Sequence, residues 1–272
     1  MTNVLEIERL TKEFQRDDVA TVALRDFSLT IERGSFVTVL GRSGCGKSTM
    51  LNLLSGLSKP TAGRVLHNGK QHTGPTPDIG YLTQSDTVMP WRTVQRNVEM
   101  PLEIAGKPKE ERQAIAADLI QRVGLAGFEE SYPRELSGGM RRRASLARML
   151  ATGADTILMD EPFGALDAQL RHELQGELLR LWQQTQQTVV FVTHDIDEAL
   201  LLGDRVVVLG GLGRILLDQE VDIPRPRDPD LTTVDPRFIE LHRTLANALK
   251  EGATGVNPIV DPEGRGTQGG AA

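Results

Sequence analysis

The stretch GRSGCGKST at residues 41–49 restricts the fold of this chain more than any other feature. It matches the pattern G-x-x-x-x-G-K-[ST] through Gly41, Gly46, Lys47 and Ser48, and an apolar segment, SFVTVL, precedes it. In such a loop the backbone N–H groups curl around phosphates, the lysine reaches the β- and γ-phosphates, and the hydroxyl ligates Mg²⁺. A helix predicted directly after the loop adds its positive N-terminus. We therefore predict an α/β nucleotide-binding fold rather than a chance glycine-rich turn.

Strand and helix patterns divide the rest of the chain into regions. Residues 4–40 carry β-rich segments separated by turn residues, whereas residues 85–150 are mostly helical in pattern. Beyond them, continuous apolar runs such as TILMDEP and TVVFVTHD alternate with helices, which is typical of a parallel sheet covered on both faces. After residue 223, PRPRDPDLTTVDPR predicts an extended connector, and a short amphipathic helix and a mobile tail are predicted to follow.

The composition is that of a globular protein and disfavours several classes. Hydrophobic residues make up 39% and charged residues 25%, and the net charge of −6 argues weakly against nonspecific nucleic-acid binding. No apolar run approaches the roughly 18 residues of a membrane span, and the N-terminus shows no secretory-signal pattern. The single cysteine, Cys45, suits a reducing compartment. We expect its thiol to be inert, although modifying it should block nucleotide binding.

Two adjacent carboxylates follow the predicted buried strand TILMDEP. Asp160 is expected to hold Mg²⁺, because ligands bind at the carboxyl ends of strands in open α/β sheets. Glu161 then remains to polarise the attacking water. The alternative, a solvated turn after a core strand, is disfavoured by the phosphate loop upstream.

Two further polar residues come at the ends of predicted strands. His194, in TVVFVTHD, is a candidate contact for the γ-phosphate or the water. Gln84, at the end of DIGYLTQ, is a candidate metal ligand. By spacing alone, a surface role is equally compatible with both residues.

The segment LSGGMRRR at residues 136–143 predicts a second anion-binding helix start. Ser137, Gly138 and Gly139 precede a helical pattern, and the segment contains no carboxylate or histidine. We interpret the arginines that follow as a solvated helix face rather than a nucleic-acid patch.

Over residues 4 to about 222 the chain resembles the nucleotide-binding subunit of an ABC transporter. The resemblance rests on the order of its motifs, which are the phosphate loop, YLTQ, LSGGM, ILMDEP, GALD and VTHD. The resemblance implies a P-loop NTPase ABC cassette with a RecA-like core, an antiparallel β subdomain and a helical signature subdomain. The cassette would span residues 1–222, with the helical subdomain at about 85–150 and a C-terminal extension at 223–272.

The resemblance also implies roles for single residues. Phe14 would stack on adenine, Gln84 would touch Mg²⁺ and follow the permease, and Glu161 would be the catalytic base. His194 would be the switch histidine, and Asp167 would communicate across a dimer. The implied metal ligands are Ser48, Gln84 and Asp160. The implied signature residues, which act on ATP held by the partner subunit, are Ser137, Gly138 and Gly139. The implied ATP-binding loop is Gly41, Arg42, Ser43, Gly44, Cys45, Gly46, Lys47, Ser48 and Thr49.

Two segments, SDTVMPWRTVQRNVEMPLEIAG and DIPRPRDP, resemble the nitrate/sulfonate/taurine import group. This implies an ATP-hydrolysing motor that dimerises head-to-tail on the cytoplasmic face of the inner membrane. It would drive a separate permease, to which a solute-binding protein delivers the solute. Nucleic acid would not be a partner. Arg142 departs from the family, where glutamine is common. The cluster around Trp91 is interpreted as a local core anchor, as part of the permease groove, or as both.

Three alternatives stay open beside the importer. The same cassette serves exporters and lipid transporters, which the motifs do not separate. A soluble, non-transport ABC ATPase is disfavoured because the chain has neither long coiled coils nor a second cassette. A regulator that binds nucleotide without hydrolysing it is disfavoured by intact Asp160, Glu161 and His194.

Overall fold

The computed structural model describes residues 2–16, 19–85, 87–164 and 166–252. Within these ranges the chain forms ten strands and eight α-helices. The strands are β1 (Asn3–Arg16), β2 (Val19–Glu32), β3 (Phe36–Gly41), β4 (Ala62–His67), β5 (Lys70–Gln71), β6 (Ile79–Leu82), β7 (Thr156–Asp160), β8 (Thr188–Thr193), β9 (Arg205–Leu209) and β10 (Ile215–Glu220). The helices are α1 (Lys47–Leu54), α2 (Val94–Ile104), α3 (Lys109–Arg122), α4 (Gly138–Leu150), α5 (Ala168–Thr185), α6 (Ile196–Leu202), α7 (Pro229–Thr232) and α8 (Pro236–Glu251).

The strands form two sheets of different kinds. The first is antiparallel, in the order β2–β1–β4–β5. The second has the order β10–β9–β3–β8–β7–β6 and is parallel except for its edge strand β10. Every residue of β3, β7 and β8 is buried, which explains their continuous apolar sequences. The predicted α/β fold with an antiparallel subdomain is confirmed.

The strand order of the second sheet brings the motifs together. Because β3, β8 and β7 are neighbouring parallel strands, their carboxyl ends open at the same edge. Gly41 ends β3, Asp160 ends β7 and Thr193 ends β8. The phosphate loop and the residues that follow β7 and β8 therefore share one edge of the sheet.

Helices α2, α3 and α4 pack against one another between β6 and β7 in sequence. Their shared core includes Val98, Ile120, Ala144 and Ala147. The small alanines of α4 let neighbouring backbones approach closely. This packing holds the start of α4, at Ser137–Gly139, on one side of the sheet edge.

The C-terminal residues after 222 contribute to a second hydrophobic cluster, distinct from that of α2, α3 and α4. Phe238 and Leu245 of α8 are buried with Leu200 of α6 and Val208 of β9. The buried guanidinium of Arg227 donates to several carbonyls at the end of α6, including that of Leu200 at 2.9 Å. The connector is therefore fixed to the core. The predicted mobile tail at 253–272 lies outside the described residues.

Among the helices in the described ranges, none combines the length and the apolar content that crossing a bilayer requires.

Candidate functional site

The phosphate loop joins the end of β3 to the start of α1. Gly44 and Gly46 have φ angles of 80° and 109°, a left-handed conformation that glycine adopts without a Cβ clash. The backbone N–H of Cys45 donates to the carbonyl of Arg42 at 3.3 Å and closes the turn. The Cys45 thiol is buried in the apolar core beneath the loop. Burial raises the pKa of this thiol.

The antiparallel sheet lies against this loop. A Cβ at Gly46 would come within 2.8 Å of the Ala23 carbonyl oxygen, so β2 passes directly beside the loop. Phe14 pairs with Thr21 on the same hairpin and is 47% exposed. The ammonium of Lys12 lies 5.0 Å from the centre of its ring. Phe14 remains a prediction for the adenine contact.

Lys47 is buried at the base of the loop. Its Nζ donates to the carbonyl of Gly41 at 2.7 Å and to that of Arg42 at 3.1 Å. It also lies 3.6 Å from Oε1 of Glu161. A buried ammonium requires such partners, because an unpaired charge in the interior is costly. The loop thus holds its cation against the carboxylate that follows β7.

Asp160 is a buried carboxylate beside the loop. Burial raises the pKa of Asp160, and a hydrogen bond from Ser48 and the charges of Lys47 and Arg142 partly oppose that rise. The carboxylate and the Ser48 hydroxyl are hard oxygen donors of the type that Mg²⁺ prefers. In the part of the chain that the structure describes, no cluster of three or more His, Cys, Asp or Glu side chains could hold a metal alone. The donor set fits an ion whose remaining ligands are phosphate oxygens and water.

Glu161 has a strained backbone, with a φ angle of 42°. Such a conformation costs about 1–3 kcal/mol in a residue other than glycine. Its N–H donates to the carbonyl of Val192 at 3.0 Å, so pairing with β8 continues to this point. Its carboxylate lies 3.1 Å from Nδ1 of His194 and near Lys47. The structure therefore brings Lys47, Glu161 and His194 into one chain of contacts.

A buried network behind His194 was not predicted from the sequence. The Thr193 hydroxyl donates to Glu198 at 2.6 Å, and Gln175 of α5 donates to the same carboxylate at 3.1 Å. Burial raises the pKa of Glu198. The N–H of Asp195 donates to the Thr193 hydroxyl at 3.0 Å. These bonds fix the backbone on both sides of His194, whose own side chain is 57% exposed.

A cleft of about 440 Å³ connects several of the predicted residues. It is lined by Gln84, Ser85, Gly138, Arg141, Arg142, Glu161, Pro162, Gly164, Leu166 and His194. Gln84 therefore opens onto the same space as Glu161 and His194. Its role as a metal ligand stays a prediction.

The interpretation of Arg142 as part of a solvated face is wrong. The residue is 5% exposed, and its Nε donates to the carbonyl of Pro162 at 2.6 Å. Its Nη1 donates to the carbonyl of Thr83 at 2.7 Å. The physical reason is that Arg142 lies on the face of α4 that is directed at the ends of β6 and β7. The carbonyls of Thr83 and Pro162 lie just beyond these two strands. Three consecutive arginines contain no signal for which one faces inward.

The signature segment forms the start of α4. The Ser137 hydroxyl caps the helix by accepting from the N–H of Met140 at 3.2 Å. Gly138 is exposed, and a Cβ there would meet Arg141 only at 3.7 Å. A Cβ at Gly139 would come within 2.2 Å of a methyl of Leu170. The start of α4 therefore has exposed backbone at Gly138 and no acidic side chain in its first turn.

Asp167 has a local structural role. Its carboxylate caps α5 by accepting from the N–H of Leu170 at 3.0 Å. Communication across a dimer remains a prediction for this residue.

Trp91 is 72% exposed, so the core-anchor alternative is wrong. The loop that carries it is held by Asn97, which is fully buried. Its amide accepts from the N–H of Met89 at 2.7 Å and donates to the carbonyls of Met89, Arg92 and Thr93. Trp91 borders a groove of about 480 Å³. Its charged lining is Arg92, Arg96, Glu99, Glu103, Lys109, Arg112 and Glu130.

Comparisons with known proteins identify a family model, two curated relatives and a solved structure that this chain resembles. The family model described as ABC transporter matches residues 24–164. The nitrate import ATP-binding protein NrtD of Synechococcus elongatus is 39% identical over 254 residues, which cover 91% of this chain and 92% of NrtD. The bicarbonate transport ATP-binding protein CmpC of the same species is 47% identical over 237 residues, 85% of this chain but 35% of CmpC. Among solved structures, the chain matches the ATP-binding cassette MJ0796 in a dimeric, post-hydrolysis state bound to ADP and Pi. The TM-score is 0.74 and the sequence identity 32%, and the match covers 81% of this chain and 100% of that one.

Proposed function

We propose that this chain, which belongs to the ABC transporter family and is an ATPase, drives the uptake of a small anionic or zwitterionic solute through a separate permease. The observation that carries the catalytic part is the chain of contacts from Lys47 through Glu161 to His194 at one sheet edge. NrtD and CmpC, which carry nitrate and bicarbonate in their names, support the solute class.

In the proposed mechanism the loop of residues 41–49 binds the phosphates of ATP. Lys47 leaves the carbonyls of Gly41 and Arg42 for the β- and γ-phosphates, which compensate its charge better. Phe14 stacks on adenine from the neighbouring hairpin. Ser48, Asp160 and Gln84 would hold Mg²⁺, which would neutralise phosphate charge when bound.

Glu161 then orients the attacking water. As Lys47 turns to the phosphates, one carboxylate oxygen becomes free to accept a hydrogen bond from water in line with the γ-phosphate. His194 holds the other oxygen and contacts the γ-phosphate. The strained φ angle of Glu161 is compatible with a carboxylate held in advance for this task.

The outward-facing start of α4 supports a composite site in a dimer. The N–H groups after Ser137 present a positive helix end with no acidic side chain in the first turn. A second copy, related head-to-tail, would bring its γ-phosphate to this point. Each ATP would then lie between the loop of one chain and Ser137, Gly138 and Gly139 of the other.

The groove beside Trp91 supports a contact with the permease. An exposed tryptophan on a loop fixed by a buried asparagine is a preformed anchor rather than a flexible surface residue. The loop of Trp91 follows Gln84 in sequence, and movement of the permease at this groove would reach the site through that segment. The chain would thus be attached to the cytoplasmic face of the inner membrane through the permease.

An uptake experiment tests the proposal. Cells whose only copy of the chain carries Glu161→Gln are compared with cells that carry the wild type or the exposed, matched Glu173→Gln. Uptake of labelled nitrate, bicarbonate and taurine is measured. We expect uptake of one solute to be lost only in the Glu161→Gln cells. Normal uptake of all solutes, with defective efflux or lipid distribution, would instead support an exporter or lipid transporter.

A further inference from the structure

Arg142 contacts the two backbone segments that carry the predicted Mg²⁺ and water contacts. Its Nη1 donates to the carbonyl of Thr83, the residue before Gln84, at 2.7 Å. Its Nε donates to the carbonyl of Pro162, the residue after Glu161, at 2.6 Å. One guanidinium therefore joins the segment of Gln84 to the turn of Glu161.

The chemistry of arginine suits this position. Thr83 lies just beyond β6 and Pro162 just beyond β7, so both carbonyls need a partner outside the strand ladders. A planar guanidinium has five donors in a rigid fork and reaches two separate acceptors at once, whereas lysine supplies one point of charge. Because the residue is 5% exposed, water does not readily replace these bonds.

The same helix also contacts the chain on the other side of Gln84. Arg148, later in α4, donates to the carbonyl of Thr87 at 2.6 Å and to its hydroxyl. The backbone around Gln84 is thus held from α4 at Thr83 and at Thr87. That helix begins with Ser137, Gly138 and Gly139.

We propose that Arg142 is a positioning residue that sets the placement of Glu161 relative to Gln84 and couples both to the signature helix α4. The inference rests on the roles proposed above for Glu161 and Gln84. A movement of α4 that accompanies dimer closure would be transmitted through Arg142 to the turn of the catalytic base. Without the Arg142 guanidinium, ATP would still bind to the loop of residues 41–49. The carboxylate of Glu161 would then be misaligned with the attacking water.

The test compares Arg142→Met and Arg142→Lys with a matched control in the same helix. The control is Arg143→Met, because Arg143 also donates to a carbonyl, that of Gly124 at 3.2 Å, away from the cleft. Steady-state kcat and KM for ATP and the thermal midpoint are measured on the full chain. Misplacement of a reacting group by about 1 Å costs up to about 100-fold in rate. We expect kcat of Arg142→Met to fall at least roughly tenfold with KM within about twofold, because methionine donates to neither carbonyl, and Arg142→Lys to recover part of the loss.

A purely structural role would give a different result. Arg142→Met and Arg143→Met would then lower the thermal midpoint alike and leave kcat near the wild-type value, which would overturn the proposal. A raised KM with unchanged kcat would overturn it as well. If Arg142→Met does not fold, the ratio of kcat between Arg142→Lys and Arg143→Met decides.

Glu161→Gln is included so that two failures are distinguishable. If this variant hydrolyses ATP at the wild-type rate, the role proposed for Glu161 fails, and the inference about Arg142 fails with it. If it is inactive while both Arg142 variants keep the wild-type kcat, only the inference about Arg142 is wrong.

Discussion

Nδ1 of His194 lies 3.1 Å from Oε2 of Glu161, while Oε1 of the same carboxylate lies 3.6 Å from Nζ of Lys47. The carboxylate is thus held from two sides. In the proposed mechanism, Lys47 moves to the phosphates of ATP while His194 keeps its contact with Glu161. Loss of the carboxylate charge should therefore affect hydrolysis more than binding.

Glu161→Gln is expected to bind ATP with near-normal affinity and to lose hydrolysis. The amide keeps the shape of the side chain but is a poor acceptor for a proton from water. ATP should then trap a stable dimer, detectable by size-exclusion chromatography with multi-angle light scattering. The exposed Glu173→Gln should stay active. Turnover by Glu161→Gln within about threefold of wild type would contradict the role of Glu161.

Gly138→Ala tests the composite site without disturbing the subunit. A Cβ at this exposed position meets only Arg141 at 3.7 Å, and alanine favours a helix over glycine by about 1 kcal/mol. We expect unchanged or slightly higher thermal stability and normal ATP binding to the monomer. Dimer formation and hydrolysis should fail, because the methyl group blocks the approach of phosphate to the helix start.

The matched variant Gly176→Ala, in α5, should be active, because a Cβ there has a nearest neighbour at 4.0 Å. If Gly138→Ala forms ATP-dependent dimers with wild-type activity, the signature segment does not contact the partner's ATP.

The positions of Asp160, Glu161 and His194 follow from the sequence, because parallel strands align their carboxyl ends and the residues after them share an edge. The burial of Arg142 does not follow from it. Helical periodicity alone cannot tell which of several consecutive arginines meets carbonyls from β6 and β7, since those carbonyls are distant in sequence. Asn97 was missed for the same reason, as its partners belong to an irregular loop that no periodicity describes.

Cys45 should react slowly with a water-soluble thiol reagent at neutral pH. Its thiol is buried, and burial raises its pKa, so the reactive thiolate is scarce and shielded. Because the thiol ionises as the pH rises, the labelling rate should increase toward alkaline pH by about tenfold per unit, until the pH passes the pKa. Absorbance of the released reagent, in native buffer and in denaturant, measures this.

Ser43→Cys in a Cys45→Ala background provides the control, because Ser43 is exposed in the same loop. That thiol should react quickly, and bound ATP should protect it. Rapid labelling of Cys45 in the native protein would show that the loop opens readily.

Phe238→Ala tests whether residues after 222 form part of the cassette core. The ring is buried with Leu200 and Val208, and removing a buried phenylalanine costs about 3–5 kcal/mol. The exposed Leu231→Ala should change the unfolding free energy by at most about 0.5 kcal/mol. Urea denaturation of both variants measures the difference.

A single, cooperative transition that shifts only in Phe238→Ala would place α8 within the same folding unit as α6. A variant as stable as wild type would instead support a domain boundary near residue 222. Since α6 begins at Ile196, two residues after His194, this result also tests whether the extension stabilises the backbone that carries His194.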